Sequence, residues 1–391
     1  MTSPPAVLGG DPAFPEGLPL VRPFLPDTTA IASRLQSILD SGRLTNGPTV
    51  AELEERVAAM LGVPHVVGVA SCTSGLMLVL QALGATGRVV MPSFTFAASA
   101  HAVLWAGGSP DFAEVDPVSC TLDPSDAARL VDGASAVTAT HVYGTPCQTE
   151  ALQALADGAG IPLVYDAAHA LGSKRRGIPI GGFGTAEVFS LSPTKVVVAG
   201  EGGLVATADE GLAEACRLGR DYGNGGDYDC LFPGLNARMS ELHAAVALAS
   251  LEGLDERVAH RCSLADRFAS DTAAVPGLCL AQVAEGDTST YKDLTIMVDP
   301  PDFGLTAVEL ARALSAEGID SRRYYHPPVH LQKAYAERWP QRRDLPVTEA
   351  LSTKVLTLPL WSHMTSGQIA RLAGAVARIH GSAAPISQAL S

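Results

Sequence analysis

Seven short apolar runs, several of them separated by stretches of helical periodicity, lie within residues 65–210. The helix-like stretches between them occupy residues 74–83, 97–106 and 150–159. Strand and helix in alternation call for a mainly parallel sheet that is covered by helices on both faces. The pattern therefore predicts one large α/β domain with about seven strands. The apolar runs lie near 67–71 and at 88–91, 111–115, 136–142, 162–167, 186–191 and 203–208.

The second half of the chain has a different pattern. A helical tract at 240–273 has the length of a helix that leads out of the large domain. It is followed by a strand-like run at 291–298, a helix-like stretch at 307–318 and a closing helix at 366–380. These elements are sufficient for a small α+β domain, and the sequence contains no internal repeat and no low-complexity linker.

These patterns divide the chain into three parts. Residues 1–27 are rich in Pro and Gly and are expected to be extended. Residues 28–260 form the predicted large domain, which begins with two helices at 28–39 and 49–61, and residues 261–391 form the smaller one. A chain of 391 residues can bury about three quarters of its unfolded surface, so a large domain with a smaller companion is expected.

The composition excludes several classes of partner. A formal net charge of −14 argues against nucleic acids and anionic membranes, because both bind to basic patches. The N-terminus lacks the basic and apolar regions of a signal peptide, and no uncharged run approaches the roughly 20 residues of a membrane span. Seven scattered cysteines without a CxxC pair fit reduced thiols better than disulfides or a metal site. We therefore expect a cytoplasmic protein.

Lys195 is the first candidate for chemistry. It is the only charged residue between Glu187 and Glu201, in a chain with five lysines and 22 arginines. Burial would lower the pKa of its ammonium group, and the neutral amine would then be able to form a Schiff base with an aldehyde cofactor or a carbonyl substrate. An ordinary loop lysine explains this window equally well.

Polar residues also follow other strands of the predicted sheet, at the carboxyl ends where open α/β sheets bind ligands. In SCTSG (71–75), Thr73 and Ser74 lie where a strand passes into a helix, a setting that binds phosphate or simply caps the helix. In VYDAAHALGS (164–173), Asp166 closes an apolar strand and needs a cationic partner, either a protonated ring nitrogen or an arginine. His169 shares that face if a helical turn follows.

Three more segments have two interpretations each. In PSFTFAAS (92–99), Phe96 is either a platform for a flat ring or a core residue. FSLSPTK (189–195) supplies the hydroxyl of Ser190 next to the amine of the lysine. In GLNARMSE (234–241), Asn236 and Arg238 precede a helix and either meet an anion or belong to a solvated loop. The Gly-rich stretches GIPIGGFG and AGEGG lack the order of a dinucleotide fingerprint and are interpreted as turns.

In this order, the motifs SCTSG, PSFTF, DAAHALG, FSLSPTK with EGG behind it, and GLNARMSE resemble the sugar aminotransferases of the DegT/DnrJ/EryC1/StrS family. The resemblance runs from LTNGP at 44–48 to LTLPLW at 356–361. It implies an α/β protein with the fold type I architecture of pyridoxal phosphate-dependent transferases. The implied large domain has a mainly parallel seven-stranded sheet, the smaller domain is α+β, and pyridoxal 5'-phosphate is the cofactor.

The resemblance implies a role for each matching residue. Lys195 matches the lysine that forms the Schiff base with the cofactor, and Asp166 matches the carboxylate that pairs with the pyridinium nitrogen. Phe96 takes the place of the aromatic residue stacked on the ring, and His169 that of the polar residue near the ring hydroxyl, which is often Gln. Ser192 stands where many members have His. The phosphate ligands are matched by Thr73, Ser74, Ser190 and, from the neighbouring subunit of a homodimer, Asn236.

The resemblance also implies the reaction. The amino donor would be L-glutamate, and the acceptor would be a keto group of a nucleotide-linked deoxysugar, with C-4 slightly favoured over C-3 by DAAHALG and FAASAHAVLW. Candidate substrate contacts combine charge with aromatic surface, although packing explains the segment RRYYHPPVH equally well. These candidates are Arg238, Tyr325, His326 and His330.

Other functions are compatible with parts of this pattern. An aminotransferase for a cyclitol or another cyclic ketone would share the cofactor site. If the chain were a non-catalytic regulatory protein with the same fold, catalytic residues of the site would be missing. Both Lys195 and Asp166 are present. A sugar dehydratase of the family typically has His in place of the lysine, and a dinucleotide-dependent oxidoreductase would need the glycine fingerprint that is missing here.

Overall fold

The computed structural model describes residues 3–338 and 343–390, and a seven-stranded sheet lies at its centre. The strands of the first 210 residues are β1 (His65–Val69), β2 (Arg88–Pro92), β3 (Ser109–Ala113), β4 (Ala136–Thr140), β5 (Leu163–Asp166), β6 (Lys174–Arg175), β7 (Ile178–Pro179), β8 (Ala186–Ser190) and β9 (Gly203–Thr207). The central sheet has the order β1-β9-β8-β5-β4-β2-β3, while β6 pairs with β7 alone. Because β9 is antiparallel to both neighbours and the other pairs are parallel, the predicted mainly parallel sheet is confirmed.

Helices cover both faces of this sheet. Side chains alternate between the two faces along each strand, so that Val188 packs in the core under one helical layer and Phe189 in the core under the other. Strands buried on both faces explain why the runs are almost uniformly apolar in the sequence. The helices are α1 (Thr28–Ser41), α2 (Pro48–Leu61), α3 (Cys72–Ala82), α4 (Ala97–Trp105), α5 (Pro124–Ala127), α6 (Thr149–Ala159), α7 (Glu210–Gly219) and α8 (Glu241–Leu251).

The helical tract expected at 240–273 is two helices. Helix α8 ends at Leu251, and α9 (Leu254–Thr272) begins after Gly253, whose φ of 65° lies in the left-handed region that glycine tolerates best. The start of α8 also holds the start of α2, because the buried carboxylate of Glu241 accepts hydrogen bonds from the backbone N–H groups of Gly47, Thr49 and Val50.

A second core lies around a three-stranded antiparallel sheet of β10 (Leu278–Leu280), β11 (Leu294–Val298) and β12 (Val355–Leu358), in the order β10-β11-β12. Phe268 of α9 packs in this core together with Ile296. The helices of this part are α10 (Pro300–Phe303), α11 (Ala307–Ala316), α12 (Lys333–Ala336), α13 (Pro346–Lys354), α14 (Ser366–His380) and α15 (Ala383–Leu390).

The N-terminal segment is not simply extended. It contains a 3-10 helix at Ala6–Leu8, and Phe14 and Leu18 are buried in the second core. Leu18 pairs with Ile319, which ties the segment to the C-terminal part of the chain. Two more 3-10 helices are formed by Val142–Gly144 and Val329–Leu331.

Two further properties concern the chain as a whole. The helices in the described part of the chain are all too short or too polar to cross a lipid bilayer. All seven cysteines are free thiols, and four of them are buried.

Candidate active site

A pocket of about 340 Å³ lies where the carboxyl ends of β8, β5, β4 and β2 meet along one edge of the sheet. These strands are parallel neighbours, so the residues that end or follow them are brought together although they are distant in the sequence. Seven of the predicted site residues line this pocket: Thr73, Phe96, Asp166, His169, Ser190, Lys195 and Tyr325.

Asp166 is the last residue of β5, and its side chain is buried. Its Oδ2 accepts a hydrogen bond of 2.6 Å from the hydroxyl of Ser99, and its Oδ1 accepts one of 3.0 Å from the backbone N–H of Ala168. No described residue forms an ion pair with Asp166; the charge of Lys195 acts on it from beyond ion-pair distance, and Lys292 pairs with Asp293. A buried carboxylate that has hydrogen bonds but no ion-pair partner is suited to a cationic group of a ligand.

Lys195 lies in the loop that follows β8, where its backbone N–H bonds to the carbonyl of Ser192 at 3.0 Å. Burial and the like charge of Lys292 lower the pKa of Lys195 to about 8. Both causes act against the charged form, whereas the carboxylates of Asp293 and Asp166 act in its favour. The amine is therefore neutral far more often than that of an exposed lysine, and a neutral amine is the nucleophilic form.

His169 is a neutral imidazole in this pocket. Burial and the charges of Lys195 and Lys292 hold its pKa well below the ordinary value. Its Nδ1 accepts a hydrogen bond of 3.1 Å from the backbone N–H of Tyr143, which leaves the ring proton on Nε2. Nδ1 also lies 3.9 Å from Asp293 Oδ2, but a neutral ring that already accepts at Nδ1 makes no ion pair there. Nε2 is thus a donor for an oxygen of a ligand.

The N-terminus of α3 forms another part of the pocket wall. The helix begins at Cys72 with Ser71 as its N-cap, two to three residues before the caps considered from the sequence. Ser74 completes a capping box, because its hydroxyl accepts from the N–H of Ser71 at 3.1 Å and its own N–H donates to the hydroxyl of Ser71 at 3.1 Å. In this structure Ser74 therefore caps the helix instead of lining the pocket, while Thr73 lines it.

Aromatic side chains form the opposite wall. Phe96 is 61% exposed although it is large and apolar, and it borders the pocket. Its ring centroid lies 6.5 Å from that of Tyr325, which in turn stacks on Tyr143 with centroids 6.4 Å apart. An exposed aromatic ring at a pocket wall is placed to stack on a flat ligand, and this favours the platform interpretation of Phe96.

Besides Ser74, four predicted residues lie outside the pocket of a single chain. Asn236 forms a bridge to Asp221, and Arg238 pairs with Asp221 and covers the ring of Tyr222. His326 hydrogen-bonds to the hydroxyl of Ser352 at 3.2 Å. His330 is buried and contacts the hydroxyl of Ser93 at 2.6 Å and the carboxylate of Glu349 at 3.1 Å, so it packs between segments.

Comparison with known proteins identifies the family of this chain. Residues 27–377 match the model of the DegT/DnrJ/EryC1/StrS aminotransferase family, which is most of the chain. The chain belongs to this family. It is a pyridoxal phosphate-dependent aminotransferase of the fold type I architecture.

Individual relatives of the aminotransferase agree in length and fold. The dTDP-3-amino-3,4,6-trideoxy-alpha-D-glucose transaminase of Streptomyces venezuelae is 36% identical over 343 residues, which cover 87% of this chain and 89% of that protein. The UDP-N-acetyl-3-dehydro-alpha-D-glucosamine 3-aminotransferase of Acidithiobacillus ferrooxidans is 34% identical and covers 92% and 96%. The structure of DesI in the presence of its TDP-sugar product has a TM-score of 0.90, at 37% identity and coverages of 97% and 96%.

The residues of the aminotransferase pocket fit the family's cofactor. A phosphate needs N–H and hydroxyl donors, which the start of α3, Thr73 and Ser190 supply. A protonated ring nitrogen needs a buried carboxylate without another cation, which Asp166 provides. An aldehyde needs a neutral amine, and the lowered pKa of Lys195 favours that form.

Several residues of the pocket were not predicted as site residues. Ser99 does not line the pocket itself but hydrogen-bonds to Asp166; it lies in the quoted motif PSFTFAAS, and its hydroxyl in the first turn of α4 was the available signal. Lys292, Asp293 and Tyr324 line the pocket. Lys292 and Asp293 lie near the start of the run at 291–298, which was interpreted only as a strand. Two adjacent opposite charges at the start of an otherwise apolar run were the available signal for this pair.

Proposed function

We propose that this aminotransferase moves an amino group from L-glutamate to a keto group of a nucleotide-linked deoxysugar, with Lys195 and Asp166 as its catalytic residues. The observation that carries the proposal is one pocket that holds a lysine of lowered pKa and a buried carboxylate without a cationic partner among the described residues. The sugar substrate follows from relatives that are named for nucleotide-linked aminosugars and match nearly the whole chain.

The two catalytic residues act in different ways. Lys195 attaches the cofactor through its neutral amine and, once released by the incoming amino group, serves as the base that takes and returns a proton. Asp166 keeps a proton on the ring nitrogen, and Ser99 and the N–H of Ala168 hold the carboxylate in place for this. When bound, pyridoxal phosphate supplies an electron sink for the electron pair that a departing proton leaves behind.

The remaining pocket residues bind and orient. Thr73, Ser190 and the N-terminus of α3 would hold the phosphate, Phe96 would stack on the ring, and Nε2 of His169 would donate to the hydroxyl oxygen on the ring. Tyr325 continues the aromatic wall toward the substrate side of the pocket.

The active unit is a homodimer in the cytoplasm. Asn236 lies outside the pocket of its own chain, and we assign it to the phosphate of the neighbouring subunit. Arg238 and His326 lie near the surface and are assigned to the substrate side of the site. The free thiols of the chain fit a reducing compartment.

The aminated carbon is C-4 in this proposal, because DAAHALG and FAASAHAVLW resemble the corresponding segments of family members that aminate C-4. The two relatives reported above are named for a 3-amino sugar and a 3-aminotransferase, so C-3 is the competing position. A cyclitol or another cyclic ketone without a nucleotide is the competing substrate class.

The experiment is a product analysis with a panel of ketones. The holoenzyme is incubated with L-glutamate and, separately, with dTDP-linked 4-keto and 3-keto 6-deoxyglucose and with cyclic ketones that lack a nucleotide. We expect an amine at C-4 of the nucleotide-linked sugar and one 2-oxoglutarate per amine, read by NMR and mass spectrometry. Amination of the 3-keto sugar alone would show that the aminated carbon is C-3 and not C-4. Amination of only nucleotide-free ketones would contradict the sugar assignment.

A further inference from the structure

A second lysine lies in the same pocket as Lys195. Lys292 is buried, and its Nζ lies 2.7 Å from Oδ1 of Asp293, which is buried as well. The ammonium is 5.7 Å from the ring centroid of Tyr324. Both residues of this pair line the pocket, although they come from the segment just before β11 and not from the central sheet. Neither Lys292 nor Asp293 has a role in the mechanism proposed above.

The Lys292–Asp293 pair has few hydrogen-bond partners, although the charge of Arg261 also lies near Asp293. Oδ2 of Asp293 has no hydrogen-bond partner among the described residues. Behind the pair, the guanidinium of Arg261 bonds to the backbone carbonyls of Thr290 and Lys292, at 2.8 and 3.1 Å, and not to the carboxylate. A buried charge with few partners acts over a longer distance than an exposed one, because little solvent screens it.

Other titratable groups face Lys195 from each element around the pocket. Asp166 stands at the end of β5, and the thiol of Cys72 lies at the start of α3, 3.8 Å from Asp166 Oδ1. His169 follows β5 and is neutral, and Glu201 lies on the loop before β9. Tyr324 and Tyr325 complete the wall, and burial raises the pKa of both phenols, so they are uncharged at neutral pH. Lys292 is the other lysine of the pocket lining.

We propose that Lys292 is a positioning residue that keeps Lys195 poised as a neutral amine, with Asp293 holding the Lys292 ammonium in the pocket. The inference rests on the proposed role of Lys195. Its physical basis is that a like charge in a buried pocket disfavours a second ammonium. Asp293 has two effects, since it pairs with the Lys292 ammonium at 2.7 Å and also attracts a proton to Lys195. In the balance at Lys195, the repulsion by Lys292 exceeds the attraction by Asp293.

The test measures the protonation of Lys195 directly. In the apoprotein, the rate of reductive methylation at each lysine is followed against pH by peptide mass spectrometry, with the exposed Lys333 as internal reference. In the holoenzyme, the visible absorbance of the bound cofactor is titrated with pH. Neither readout requires turnover. The variants are Lys292→Met, Lys292→Gln, Lys292→Arg and the double variant Lys292→Met with Asp293→Asn, and Lys333→Met is the matched control.

We expect Lys292→Met and Lys292→Gln to raise the pKa of Lys195 by about one pKa unit, which is about a tenfold loss of neutral amine at a given pH below it. Lys292→Arg and Lys333→Met should leave it unchanged. The double variant should also raise the pKa of Lys195, but by no more than Lys292→Met does. The reason is that Asp293→Asn also removes the attraction between the Asp293 carboxylate and the Lys195 ammonium. The absorbance titration should shift in the same direction.

A folded Lys292→Met or Lys292→Gln variant, shown by circular dichroism, whose Lys195 titrates as in the wild type would overturn the proposal, as would a lowered pKa. This outcome is distinct from failure of the proposed function. If the cofactor is attached to a lysine other than Lys195, peptide mapping of the borohydride-reduced holoenzyme shows it, whatever the titration of Lys195 in the apoprotein.

Discussion

Asp166 is held in place by a single side-chain hydroxyl, that of Ser99, together with one backbone N–H. We expect Asp166→Asn to slow transamination by about a hundredfold or more, because a neutral amide cannot keep a proton on the ring nitrogen. Ser99→Ala removes a hydrogen bond to a charged group and should slow it about tenfold. Steady-state kinetics would measure both, with Ser263→Ala on an exposed face of α9 as the control. Rates within a few-fold of the wild type would make Asp166 a structural residue.

At the scale of residues, the sequence predicted the site residues that end or follow the strands of the central sheet. Asp166, Ser190 and Lys195 come together because the carboxyl ends of neighbouring parallel strands lie at the same edge of the sheet. This rule can be applied to the sequence alone. Lys292 and Asp293 reach the same pocket from the second core, and no local pattern relates β11 to the edge of the central sheet. The Ser71 cap was missed for a smaller reason: three adjacent small polar residues compete to start α3, and only the backbone geometry decides between them.

At the scale of elements, the start of α3 depends on how closely β9 approaches it. A Cβ at Gly203 would lie 2.5 Å from the backbone nitrogen of Cys72 and 2.6 Å from the carbonyl carbon of Ser71. We expect Gly203→Ala to push the start of α3 away, to destabilise the protein by about 1–3 kcal/mol and to weaken cofactor binding, because Thr73 moves with the helix. Urea denaturation and titration with pyridoxal phosphate would measure the two effects.

The matched control is Gly374→Ala in α14, where nothing lies within 4 Å of the added methyl group. It should leave cofactor binding unchanged and stabilise the fold by about 0.5–1 kcal/mol, since Ala favours a helix over Gly. If Gly203→Ala behaved like this control, β9 would not position α3.

Element types were predictable along most of the chain, and boundaries were less so. The closing helix was expected at 366–380 and is found at Ser366–His380, because its apolar stripe has clear caps at both ends. The third strand begins two residues earlier than expected, at Ser109, where its parallel partner β2 sets the register. The break after α8 was missed because a single glycine inside an apolar helical pattern often continues the helix.

At the scale of the whole molecule, the proposed dimer predicts complementation between defective subunits. Asn236→Ala and Lys195→Ala should each be nearly inactive alone. Mixed and allowed to exchange, they should form hybrid dimers in which one site has both residues intact, giving about a quarter of the wild-type activity. Light scattering would establish the dimer, and activity of the mixture would test the shared site. If Asn236 serves only its own chain, both sites of a hybrid dimer have one defect and the mixture stays inactive. An inactive mixture in which hybrid dimers are confirmed would therefore contradict the shared site.

The central claim is that Lys195 carries the cofactor through a complete cycle of amino transfer. The most direct measurement is the visible absorbance of the purified holoenzyme before and after L-glutamate, and again after a nucleotide-linked keto sugar is added. We predict that glutamate removes the visible band and the sugar restores it, and that Lys195→Ala has neither the covalently linked band nor the cycle. A Lys195→Ala protein that still holds the cofactor covalently through another lysine and still cycles would contradict the account.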